Sequence, residues 1–177
     1  TITANGTPSV QCFSPFQPSS GYSPSVYSGS GYFNGSTDYL TLSTLTATGD
    51  YTLEWWSFLT ATTFSSYIIP FATGTGLCWV GWMTNITTFA VNDTAGGVIN
   101  TSSMPNVTNR WAHIAVTKSG STVRLFVNGA LIASGTSSNS FTFDRIGCYG
   151  TNQYNYTGYL SDVRFLNGTA LYTAAFT

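Results

Sequence analysis

The sequence predicts an all-β chain, folded as a β-sandwich or a barrel, on three observations. Ser and Thr supply 51 of the 177 residues, with 18 Gly and 12 Asn beside them, a composition of short strands joined by many turns. Short alternating apolar runs recur along the chain, about ten to twelve of them, at the spacing of a sandwich or barrel. No segment longer than a turn carries a helical period, although Ala170–Ala174 could form one helical turn near the end.

The elements follow in order. Residues 1–28 are rich in Pro and Ser, with Pro8, Pro15, Pro18 and Pro24. Proline cannot donate to a ladder, so this stretch is an extended arm or an edge segment. Its Phe13, Phe16, Tyr22 and Tyr27 imply that the arm packs, on its own domain or on a neighbour. Residues 29–177 are the sandwich domain. Tyr51–Thr60 is the strongest strand: Leu53, Trp55, Ser57 and Leu59 share one face, and Glu54, Trp56 and Phe58 the other. Two largely apolar faces place it centrally, covered on both sides. Residues 66–73 form the next strand, which Pro70 pushes to an edge or a bulge. Strands at 76–83 and 87–92 come next. Residues 110–135 read as three strands, with Ile114 and Val116 facing away from Trp111 and His113. Asn128-Gly129 is a hairpin turn that pairs Val127 with Ala130 and sets Leu125, Val127, Ala130 and Ile132 on one face. Strands at 141–147 and 157–166 complete the set.

Charge is scarce, with five Lys/Arg and six Asp/Glu, 6% of the chain where about 25% is usual. That excludes a nucleic-acid surface, a coiled coil, a charged tail and a polybasic membrane helix. No apolar run approaches the roughly 20 residues of a membrane span. There is no initiator Met and no signal-like segment, so the chain is expected to be processed or part of a longer one.

Several segments, in order, resemble the laminin-G-like, concanavalin A-like jelly-roll superfamily. They are residues 31–42 (GYFNGSTDYLTL), 51–59 (YTLEWWSFL), 110–135 (RWAHIAVTKSGSTVRLFVNGALIASG), 145–150 (RIGCYG) and 158–177 (GYLSDVRFLNGTALYTAAFT). The subgroup is common in virion appendage and bacterial surface proteins. The resemblance covers roughly 29–177 and implies a two-sheet antiparallel β-sandwich, a jelly roll. Function stays open, since this fold carries lectins, glycanases, adhesion modules and capsid parts.

Glycan-cutting relatives use a Glu-x-Asp-x-x-Glu strand. Here Glu54 is the single glutamate. Asp50 lies four strand residues away, about 13 Å, too far for either glycosidase geometry. A Ser-His-Asp triad would need His113, which the resemblance places in the framework. There is no G-x-S-x-G and no phosphate loop. No enzyme and no cofactor are expected. Relatives bind calcium through loop Asp and Asn, and Asp38, Asp93, Asp144 and Asp162 are the candidates, scattered singly. Cys12, Cys78 and Cys148 allow one disulfide at most, or are buried thiols, and no zinc pattern occurs.

Aromatic residues are the candidates for sugar contact: Trp55 or Trp56, Trp79 or Trp82, and Tyr149, Tyr154, Tyr156 and Tyr159, a surface patch for a glycan or for a neighbouring subunit. The alternative for the tryptophans is core packing. The Asn-x-Ser/Thr pattern occurs at Asn5, Asn34, Asn85, Asn92, Asn100, Asn106, Asn155 and Asn167, 8 of the 12 asparagines. Chance would give about 3.5. These are glycosylation candidates in a host that makes N-glycans, and turn asparagines otherwise. The expectation is an extracellular or virion-surface structural subunit. It assembles with copies of itself through the sandwich and the arm. The alternative is a carbohydrate-binding or receptor-binding module.

Overall fold

The computed structural model describes residues 1–16 and 29–177. The strands are β1 (Ile2–Asn5), β2 (Ser9–Gln11), β3 (Ser30–Asn34), β4 (Tyr39–Ala47), β5 (Tyr51–Leu59), β6 (Ile68–Ala72) and β7 (Trp79–Trp82). They continue as β8 (Phe89–Asp93), β9 (Gly96–Thr101), β10 (Trp111–Ser119), β11 (Thr122–Val127), β12 (Ala130–Thr136), β13 (Phe141–Ile146) and β14 (Thr157–Asn167). No helix occurs among the described residues, and Ala170–Ala174 is irregular, not a helical turn.

The strands form two antiparallel seven-stranded sheets. Sheet A runs β1-β4-β13-β6-β7-β8-β9, and sheet B runs β12-β11-β10-β5-β14-β3-β2. The core lies between them. Leu53, Trp55 and Leu59 of β5, with Ile114 and Val116 of β10, face Phe71, Val80, Trp82, Phe89, Phe141 and Phe143 of sheet A. Trp55 meets Phe71 edge-on at 4.8 Å, and Trp82 meets Phe89 at 5.0 Å. Each such ring contributes a few kcal/mol of transfer free energy.

The double-faced pattern of β5 has a direct cause. The strand is fourth of seven in sheet B, and its outer face is covered by the segment after β2 and the segment after β14. Phe13 packs on Phe58 at 4.8 Å, Tyr159 at 4.9 Å and Trp111 at 5.2 Å, while Phe16 meets Trp56 at 5.5 Å. After β14, Tyr172 and Phe176 stack at 3.7 Å and lie over Phe126 and His113. The N-terminal residues are edge segments, and each ladder is short: β1 borders sheet A and β2 borders sheet B. Pro18, Pro24, Tyr22 and Tyr27 fall outside the described residues.

Glycine-rich β9 carries no alternation strong enough to be read, yet it pairs along β8. Pro70 sits inside sheet A and takes the bulge of the two expected places: the missing N–H is absorbed by a register break between Ile68 and Phe71. In the Asn128-Gly129 hairpin Val127 pairs with Ala130, but a bulge at Leu125/Phe126 shifts the rest, setting Leu125 opposite Ala133.

Candidate functional site

Glu54 projects from the outer face of β5 and is buried. Its Oε1 takes both Nε and Nη2 of Arg164. Its Oε2 accepts from the Tyr172 hydroxyl at 2.8 Å and lies 3.2 Å from His113 Nε2. A bulge between Ser161 and Arg164 aims the arginine at this carboxylate. Burial pushes the carboxyl pKa up. The hydrogen bonds from His113, Tyr172 and Arg164 outweigh it and hold the pKa down, from 4.5 to about 2. Asp50 accepts from the Gly120 N–H instead, at 2.8 Å. Glu54 and His113 therefore clasp the C-terminal segment onto sheet B, and the acid–base pair that hydrolysis needs is not assembled from them.

Three of the four candidate aspartates are likewise engaged in turns. Asp38 takes the N–H groups of Thr7 at 2.8 Å and Asn34 at 3.2 Å. Asp93 takes Ala95 N–H at 2.7 Å, the Ser137 hydroxyl and the Asn139 amide. Asp144 takes Gly74 N–H at 2.7 Å and pairs with Arg145 at 3.1 Å. Asp162 stands exposed at the β14 bulge. No three His, Cys, Asp or Glu residues come together among the described residues. Cys12 is exposed; Cys78 and Cys148 are buried, and all three are free. Burial pushes the Cys78 and Cys148 thiols up to about 11.

The sequons divide in two. The amide nitrogens of Asn5, Asn34, Asn155 and Asn167 donate to Thr41, Thr37, Asn152 and the Thr46 carbonyl. Those of Asn85, Asn92, Asn100 and Asn106 make no hydrogen bond among the described residues. Asn85 and Asn106 each accept from the N–H and hydroxyl of the threonine two residues on, an Asx turn at an exposed loop.

The tyrosine patch is split three ways. Tyr156 is fully buried, its hydroxyl 2.7 Å from Ser57 Oγ. Tyr159 lies on the outer face of sheet B, under Phe13. Tyr149 and Tyr154 lie together on the other side of the molecule. Trp55 and Trp82 are core, and Trp56 is packed by Phe16 and His113. Trp79 points out of sheet A, because Val80 and Trp82 of the same strand point in.

Trp79, Tyr149 and Tyr154 join Tyr67, Ile69 and Gln153 in a cleft of about 310 Å³ on the outer face of sheet A. The rings make a continuous wall: Trp79–Tyr67 at 5.5 Å, Tyr67–Tyr154 at 5.0 Å and Tyr154–Tyr149 at 5.5 Å. The loop after β13 builds one side. Tyr149 and Gln153 exchange N–H bonds of 2.7 and 2.9 Å, and Tyr154 C=O accepts from Ile69 N–H at 2.9 Å. Gly147 N–H reaches Pro70 C=O at 2.8 Å. This bracing holds Tyr154 at φ 52, the left-handed region, a position unusual for a bulky aromatic residue. The amide of Gln153 and the hydroxyls of Tyr67, Tyr149 and Tyr154 make no hydrogen bond among the described residues. Exposed aromatic faces with unengaged donors and acceptors at their rim suit a ligand that is apolar on its faces and hydroxylated at its edge.

A second cleft, about 400 Å³, lies on sheet B beside Trp56, His113, Gly129 and Phe176. Its rings are engaged with one another and with the tail. Tyr67, Ile69 and Gln153 are the lining residues that the sequence alone does not nominate. The one sequence cue to Tyr67 was Pro70, whose bulge exposes the backbone to which the Tyr149–Tyr156 loop docks.

A family model described as the Concanavalin A-like lectin/glucanases superfamily matches residues 34–173. No curated protein matches the sequence. Among solved structures, domain 4 of AbnA, an extracellular arabinanase from Geobacillus stearothermophilus, in complex with arabinotriose, is similar. It has a TM-score of 0.67 and 18% identity, over 96% of this chain and 82% of that one. The carbohydrate binding module CBM66 from Bacillus subtilis aligns with TM-score 0.54 and 11% identity, over 93% and 94%. Domains LG4-5 of the mouse laminin alpha1 chain align with TM-score 0.50 and 18% identity, over 82% and 45%. At these identities the likeness is one of fold.

Proposed function

The chain belongs to the Concanavalin A-like lectin/glucanases superfamily, and from that premise we propose that it is a non-catalytic carbohydrate-binding module acting outside the cell. The observation that carries the reading is the aromatic wall Trp79–Tyr67–Tyr154–Tyr149, with Gln153 unengaged at its rim. Sugar rings offer apolar C–H faces to such rings and hydroxyls to such an amide. Solved neighbours that carry carbohydrate-binding names, or a bound trisaccharide, add support. An assembly subunit is less well supported, because that reading needs the arm to dock on a neighbour. Phe13 and Phe16 are spent on this chain's own sheet B.

Affinity electrophoresis through gels holding neutral polysaccharides tests the proposal. Retardation is expected with at least one of them. Tyr154→Ala and Trp79→Ala should each weaken binding by about 2 kcal/mol, roughly 30-fold, the scale of a central aromatic anchor. Leu131→Ser, at an exposed position on sheet B's edge strand β12, should leave binding unchanged. Retardation that ignores both aromatic variants would reject the cleft.

A further inference from the structure

Resting on that glycan-binding reading, we infer that the cleft selects uncharged glycans and rejects those carrying carboxylate or sulfate. Its six lining residues, Tyr67, Ile69, Trp79, Tyr149, Gln153 and Tyr154, bring no charged side chain. Residues 17–28, beyond the described structure, contain no Lys, Arg, Asp, Glu or His either.

The cationic side chain that sheet register sets nearest is Arg145. Backbone register sets Arg145 opposite Ala72, and Ala72 opposite Trp79. Two strand spacings therefore separate the Arg145 backbone from that of Trp79, roughly 10 Å. Its guanidinium lies over Gly74, where a Cβ would meet Nη2 at 2.7 Å. It is paired with Asp144 at 3.1 Å, and Asp144 is itself bonded to Gly74 N–H. The pair presents little net field to the cleft. Lys118, which is buried, donates to the Asn139 carbonyl at 2.7 Å.

A sugar acid entering this site would shed hydration from its carboxylate and meet no cation in return, a cost that neutral hydroxyls do not incur. Neutral hydroxyls find what they need: an amide that donates and accepts, and phenolic groups that do both. A volume of about 310 Å³ lies at the small end of ligand clefts, room for one or two sugar rings. With no charge at the contact, affinity should also ignore salt, since screening acts on charges.

The test is titration calorimetry with neutral arabino-, xylo-, manno- and gluco-oligosaccharides, and with oligogalacturonate beside its methyl ester. Each is run at about 20 and about 500 mM NaCl. The expected result is binding of uncharged members alone, with Kd changing less than about twofold across salt. A methyl-esterified sugar should bind at least about tenfold tighter than its carboxylate. An acidic glycan held as tightly as its neutral counterpart, and lost in Tyr154→Ala, would overturn the selectivity and leave the glycan reading standing. Binding of no glycan at all would overturn the reading and the selectivity with it.

Discussion

Glu54 concentrates the residue-scale chemistry of the chain. Sequence reasoning placed it on a central strand, on the face shared with Trp56 and Phe58, without a second acid nearby, and that was enough to set hydrolysis aside. Its partners were not legible, because a bulge between Ser161 and Arg164 brings the arginine into register and tertiary folding brings Tyr172. A carboxyl held near pKa 2 has its folded value below its unfolded one. Its stabilisation is therefore full above about pH 4.5 and lost as pH falls towards 2. Glu54→Gln removes the charge that Arg164, His113 and Tyr172 share. The variant should lose about 2 kcal/mol at pH 7, tempered by the half-exposed arginine. Melting curves at pH 7 and pH 3 check this: the gap between wild type and variant should narrow in acid. An equal gap at both values would show that charge is not what the clasp uses.

At the scale of elements, the cleft depends on two connections. The β6–β7 turn holds Gly76 at φ +77, and a Cβ there would meet the Tyr149 hydroxyl at 2.5 Å. The Tyr149–Tyr156 segment is braced across β6 by the Ile69 and Gly147 N–H bonds. Gly76→Ala is expected to cost about 1–2 kcal/mol for the left-handed backbone and to displace Tyr149 from the wall. Glycan affinity should fall several-fold while the far-UV circular dichroism of the sheets is kept; undiminished affinity would remove Tyr149 from the site. Long alternating strands such as β5 and β10 were legible because each buries a whole face. The stretch 149–159 was not, since its four tyrosines go to a core, a covered sheet and a cleft. Period-two alternation fixes faces only within a strand, and Tyr149–Gln153–Tyr154 lies in a loop with its own local bridge.

For the molecule as a whole, Phe13 and Phe16 after β2 and the segment after β14 cover the outer face of sheet B, and the aromatic cleft opens on sheet A. The scarcity of charge takes a specific meaning in this arrangement. Asp38, Asp50, Glu54, Asp93, Asp144 and Lys118 all hold turns or neighbouring segments in place. Little charge is left for recognition, which falls to rings, amides and hydroxyls. The two-sheet sandwich was legible from strand spacing together with the family resemblance. The position of the site was not, because opposite outer faces look alike in sequence until the terminal segments choose one of them to cover. The most direct measurement is a crystal structure of the chain with whichever neutral oligosaccharide retards it. A sugar ring stacked against Trp79 or Tyr154, with a hydroxyl bonded to the Gln153 amide, is the predicted result. A sugar seated on sheet B beside Trp56 and Phe176, with the sheet A cleft empty, would contradict it.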